Sequence, residues 1–156
     1  MKRTIIALIC VLAFAQIIPA QSVTIKQHKK ITKEIELLFA KSIEAGEKMV
    51  IADVEASVND TLKTGFIDNG RYYTTFQDVM TNFKNGASRV SSQKFHILEK
   101  KITVLSPTTA LLTTSGKASS NLNDGRTIQT KFGWTFVYVK IDDQWQLVHT
   151  HMSNSR

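Results

Sequence analysis

The sequence predicts an α+β domain in which helices pack on one face of an antiparallel sheet. Three observations lead there. Up to about residue 86 the apolar residues recur at helical spacing; beyond it, four runs are rich in β-branched and aromatic residues. Turn signals separate those runs. The length of 156 residues, 42% of them apolar, suits one domain with a core of ordinary size. Seven Gly and two Pro exclude collagen-like and low-complexity chains, and a single cysteine excludes an internal disulfide framework or a cysteine-based zinc cluster.

The chain opens MKRTIIALICVLAFAQIIPAQS: a basic start at Lys2 and Arg3, an apolar run from Thr4 to Ile18, then Pro19 and the small Ala20. This is the layout of a secretory signal peptide at residues 1–20, cleaved after Ala20, and it predicts a periplasmic or secreted protein. The apolar run is short for a membrane span, which needs about 20 residues. Cleavage leaves residues 21–156 as one domain, removes Cys10, and lowers the formal charge of +7 by two.

Residues 26–45 read as a helix, with Ile31, Ile35, Leu38, Phe39 and Ser42 along one stripe and Gly46 as its stop. Val50, Val54, Val58 and Leu62, four apart, predict a second helix over 50–62. Thr64 to Asp68 reads as a short strand ended by the Asn69-Gly70 turn. Phe76, Val79, Met80 and Phe83 mark a third helix, closing near Asn85-Gly86. Strands follow over 93–105, 109–120, 126–139 and 145–152, punctuated by Pro107, Asn123-Asp124-Gly125 and Asp142-Asp143.

The strand over 126–139 is the most informative. Ile128, Phe132, Trp134, Phe136 and Tyr138 alternate with small or polar residues, giving one aromatic face. That face serves either as plain core or as a cavity wall. The last hairpin has two registers. A two-residue loop at Asp142-Asp143 sets His149 opposite Phe136. A three-residue loop sets Val148 there, turns His149 and His151 outward, and directs Gln146, Val148, Thr150 and Met152 inward.

The run WTFVYVKIDDQWQLVHTHMS from Trp134 to Ser153 resembles the C-terminal hairpin of nuclear transport factor 2-like domains, particularly the SnoaL-like branch. Its end is also similar to the association domain of calcium/calmodulin-dependent kinase II. IEAGE at 43–47 resembles the family's link between its first two helices, and FIDNG at 66–70 its first strand and turn. The resemblance implies a cone-shaped, curved antiparallel sheet wrapping three N-terminal helices, a cystatin-like fold with a pocket between sheet and helices. It also implies pairing through the outer sheet face, and it favours the register with both histidines outward.

Ketosteroid isomerase shares this fold, and by that resemblance Asp68 stands where its general base does. Phe39, however, stands where that enzyme has a tyrosine, and no acid near Trp134 replaces the second oxyanion donor. The catalytic set is incomplete. The chain carries no nucleophile elbow and no phosphate loop, and the mature chain has no cysteine. His149 and His151, with His96 as a third, lack the carboxylate company of a metal site, so no metal and no cofactor are expected. Lys26, Lys29, Lys30 and Lys33 form a basic cluster without an aromatic platform, which argues against nucleic acid. The expectation is an exported domain that binds a small hydrophobic ligand and forms a homodimer, with no membrane span after signal cleavage. Phe39, Phe76, Met80, Trp134, Phe136, Tyr138 and Thr150 would line the pocket, with Asp68 and Tyr73 as polar contacts. A proton-transfer enzyme using Asp68 as base (isomerase, cyclase or dehydratase type) and a pure assembly module built on Thr135, Val137 and Val139 are the alternatives.

Overall fold

Thr24 starts the first helix, α1 (Ile25–Glu47), with a capping box. Its hydroxyl accepts from the Gln27 amide at 3.2 Å, and the Gln27 side chain accepts from the Thr24 amide at 2.9 Å. The computed structural model describes residues 22–155, so the expected signal segment 1–20 and Cys10 lie outside the described residues. Ile31, Ile35 and Phe39 form the buried face of α1, as their spacing predicts. The helix does not stop at Gly46; it continues to Glu47. Gly46 serves close packing instead, because a Cβ there would sit 3.2 Å from the Phe95 ring. The Gln93 amide also donates to its carbonyl at 2.6 Å.

The second helix, α2 (Ile51–Ala56), is half the expected length, and all its residues stay at least partly exposed. Tertiary pairing ends it. Val58 forms a parallel bridge with Leu147, and the Asn59 amide donates to the Leu147 carbonyl at 2.8 Å. Those bonds hold the β-branched end of the pattern extended. β1 (Phe66–Asp68) then turns through Asn69 and Gly70 into β2 (Arg71–Tyr73), a strand the sequence reading missed. Both turn residues have positive φ, 50° and 78°, as a two-residue hairpin of this twist requires. Thr75 caps α3 (Phe76–Ala87), which runs through Asn85-Gly86 and buries Met80.

Four long strands complete the chain: β3 (Val90–Ser106), β4 (Thr109–Leu122), β5 (Thr127–Ile141) and β6 (Gln144–Ser155). The open six-stranded sheet has the order β2-β1-β6-β5-β4-β3. Its pairs are antiparallel except β1 with β6, which run parallel. The helices and the inner sheet face share the core, where Ile35 and Phe39 meet Leu112, Trp134, Phe136 and Leu147. The fold is the α+β architecture of three helices on a curved sheet that the sequence predicts.

The β5–β6 hairpin follows neither expected register throughout. Its loop is two residues, Asp142 and Asp143, both with positive φ, and Tyr138 pairs with Leu147. A bulge then inserts Val148, so that Val137 pairs with His149 and Phe136 with Thr150. Beyond the bulge both histidines share the outer face with Thr135 and Val137. Thr150 and Met152 face inward, Val148 is buried at the bulge, and Gln146 pairs with Val139 on the opposite face from Tyr138.

Candidate functional site

β5 builds the centre of the site because its alternation buries four aromatic rings in one row. Phe132 and Trp134 stack at 3.9 Å, Phe95 of β3 meets both edge-on, and Trp134 meets Phe136 edge-on at 6.2 Å. Phe39 of α1 closes on Phe136 at 5.6 Å. Close approach of β4 makes room for the row. A side chain at Gly116 would collide with the His96 carbonyl and with the Phe132 ring.

Between this row and the helices lies a cavity of about 130 Å³. Trp134, Phe136, Leu147, Thr150 and Met152 form its sheet side, with Phe95 and Gln93 from β3. Phe39, Ser42 and Ile43 of α1 face them, and Phe76, Val79, Met80 and Phe83 of α3 close another side. Val54, Ser57 and Val58 complete the wall from α2 and its exit. Every side chain in this wall, among the described residues, is apolar or an uncharged hydroxyl or amide. Several of those polar groups are already bonded to backbone carbonyls: Ser42 to Leu38 at 3.1 Å, Ser57 to Val54 at 2.7 Å, and Gln93 to Gly46.

Of the residues expected to contact a ligand, Phe39, Phe76, Met80, Trp134, Phe136 and Thr150 line this cavity. Tyr138 and Tyr73 do not. Tyr138 lies two residues beyond Phe136 on the same inner face and lines an adjoining groove. Tyr73 is buried against β1, paired with Phe66, with the Arg71 guanidinium 5.1 Å from its ring centre. Phe95 carried no signal in the sequence, Ile43 stood only in the IEAGE link, and Val54 and Val58 were read as the second helix's stripe rather than as cavity wall. Val79, Phe83 and Met152 carried a visible signal, the α3 stripe and the inward register.

Asp68 also lies outside the cavity wall. It pairs with Met152 across the parallel strands and so stands on the inner face, half-buried. Burial pushes its carboxyl above the usual carboxylate range. A hydrogen-bond chain ties it to the cavity. The Trp134 indole donates to Asn154 Oδ1 at 3.2 Å, and the Asn154 amide donates to Asn69 Oδ1 at 2.7 Å. Asn69 Nδ2 in turn donates to Asp68 Oδ1 at 3.0 Å.

His149 is occupied on the outer side. Its Nδ1 lies 2.7 Å from the Gly65 carbonyl, so that nitrogen carries the proton and donates, and the ring stacks near Phe66. His151 is exposed, and His96 sits on β3 opposite Lys117. Among the described residues no group of three His, Cys, Asp or Glu side chains is placed to hold a metal. Also among them, no helix is long and apolar enough to cross a membrane. Lys26, Lys29, Lys30 and Lys33 are all exposed on α1.

A family model described as a SnoaL-like domain matches residues 35–155. No curated protein matches the chain. Among solved structures, a nuclear transport factor 2-like superfamily protein from Salmonella enterica is similar at 18% identity with a TM-score of 0.73, over 83% of this chain and 94% of its own. A protein with a cystatin-like fold from Caulobacter vibrioides is similar at 13% identity and 0.67, over 80% and 89%. A hexachlorocyclohexane dehydrochlorinase from Novosphingobium barchaimii is similar at 11% identity and 0.70, over 85% and 92%. At these identities the likeness is one of fold.

Proposed function

The chain belongs to the SnoaL-like domain family, and on that footing we propose that it is an exported small-molecule-binding domain whose ligand enters the apolar cavity beside Trp134. One observation carries this reading: among the described residues, the cavity wall holds no ionisable side chain. General acid–base chemistry needs a titratable group within hydrogen-bond reach of the reacting atom. An aromatic wall with most of its polar groups already bonded suits burial of a ring or a short hydrocarbon. The volume of about 130 Å³ is that of a space for one benzene-sized ring. Export rests on the sequence of residues 1–20, and pairing through the outer sheet face rests on Thr135, Val137 and Val139, which stay partly exposed in a single chain.

Toluene tests the reading. Saturating toluene should raise the melting temperature and change tryptophan emission, and Val79→Phe, which fills the cavity, should abolish both effects. Wild-type protein indifferent to toluene would refute it.

A second reading has one observation in its favour. Asp68 stands on the inner face with a carboxyl raised by burial and linked through Asn69 and Asn154 to Trp134. On a substrate long enough to reach past Met152, it would act as a proton-transfer base. Unchanged turnover of such a substrate by Asp68→Asn would remove it.

A further inference from the structure

The cavity adjoins a larger space. A groove of about 500 Å³ lies between the C-terminal half of α1, α2 and the start of β6. Ser42, Ser57 and Leu147 belong to the walls of both spaces. The inner face of β5 passes from one to the other, with Phe136 in the cavity wall and Tyr138 in the groove wall. Tyr138 is only 2% exposed, and its hydroxyl is buried without a hydrogen-bond partner among the described residues. A buried hydroxyl left unpaired is unfavourable, so one in a native structure calls for a partner, a water or a ligand group.

Resting on the cavity reading above, we propose that cavity and groove form one two-chamber site for an amphipathic molecule. Its ring or short hydrocarbon fills the cavity, and an uncharged oxygen acceptor, such as a ketone, receives the Tyr138 hydroxyl. Burial raises the phenol, so it stays protonated and donates. The charged side chains along the groove are Lys41 and Lys48 against Glu44 and Asp53, and they balance. Lys48 is already paired with Glu44. A carboxylate or phosphate therefore gains no net attraction, whereas a neutral acceptor keeps the hydrogen bond without losing ionic hydration. Together the two spaces reach the size of ordinary ligand sites, roughly 300–1,000 Å³.

The test uses 4-phenyl-2-butanone and butylbenzene, which differ mainly in the acceptor, titrated calorimetrically into wild-type protein and Tyr138→Phe. Removing an orphaned hydroxyl should leave the melting temperature unchanged or raise it, which verifies that the variant is folded. The expected result is that Tyr138→Phe weakens the ketone about five- to tenfold and leaves butylbenzene unchanged. Three outcomes overturn the two-chamber site while leaving the cavity reading intact: a ketone affinity insensitive to Tyr138→Phe, equal weakening of both probes, or binding of butylbenzene alone. If neither probe binds wild-type protein while toluene does, the two-chamber site fails and the cavity reading stands; if toluene also fails to bind, both fall.

Discussion

Phe136→Ala is the most direct test of how the aromatic row holds the domain and shapes its cavity. Phe136 is 6% exposed, sits edge-on to both Phe39 and Trp134, and lines the cavity. A buried aromatic side chain removes about 150–250 Å² from water, worth roughly 4–6 kcal/mol at the usual coefficient. Residual compactness of the unfolded chain lowers that by about 10–40%. The retained Cβ lowers it further, while the lost edge contacts with Phe39 and Trp134 and the enlarged void add to the loss. The expected destabilisation is about 3–5 kcal/mol, the range of buried Phe→Ala changes. In a domain of this size that lowers the melting temperature by roughly 10–20 °C. Toluene should then restore part of the loss, about 2.7 kcal/mol at a hundredfold excess over its dissociation constant. Urea unfolding followed by tryptophan emission, with and without toluene, gives both numbers. A loss below about 1 kcal/mol would refute the packing account, since so small a value belongs to a surface position. A full loss without rescue by toluene would show that the enlarged space is closed to ligand.

Three further outcomes follow from particular contacts. Gly116→Ala should destabilise by about 1–3 kcal/mol and disturb Trp134 emission, because the new methyl meets backbone at His96 and displaces Phe132 from beneath Trp134; near-neutral urea unfolding would contradict it. Asp68 has a raised folded-state pKa, so its burial is harmless below the unfolded pKa and becomes unfavourable as pH rises through the folded one. Asp68→Asn should therefore gain stability relative to wild type at pH 7 and lose that advantage near pH 3, as read from urea midpoints at the two values. If the outer sheet face pairs two copies, a charge introduced by Val137→Lys should convert a dimer to a monomer in sedimentation equilibrium.

The parts legible in the sequence are those whose own periodicity records burial. The α1 stripe of Ile31, Ile35 and Phe39 and the alternation from Phe132 to Tyr138 each reflect one element packed against one neighbour, and both appear as written. The parts that were not legible depend on pairing between distant segments. α2 ends at Ala56 because Val58 finds Leu147, and no feature of the Val50–Leu62 pattern encodes that partner. Gly46 reads as a helix stop by residue type, yet it lies within α1, where Phe95 of β3 packs close against it. Tyr138 continues the aromatic row and so reads as cavity wall. Leu147, set opposite it, lines cavity and groove alike, whereas Tyr138 lines the groove.

The bulge at Val148 decides the chemistry of the cavity. With the two-residue Asp142-Asp143 loop and no bulge, His149 would lie opposite Phe136, placing an imidazole in the wall. One extra residue shifts the register, so Thr150 takes that place and His149 turns outward to the Gly65 carbonyl. The sheet order is unaffected by that choice. The same strand frame can present a titratable ring or a hydroxyl depending on one residue of register. A likeness in fold at 11–18% identity therefore says little about whether a cavity is acid–base or inert. In this chain the register excludes the histidine, and Asp68 stands beyond Met152 rather than in the wall. Among the described residues, a ligand confined to the cavity meets no side chain able to take its proton. One that extends past Met152 toward Asp68, or past Leu147 toward Tyr138, meets a titratable side chain.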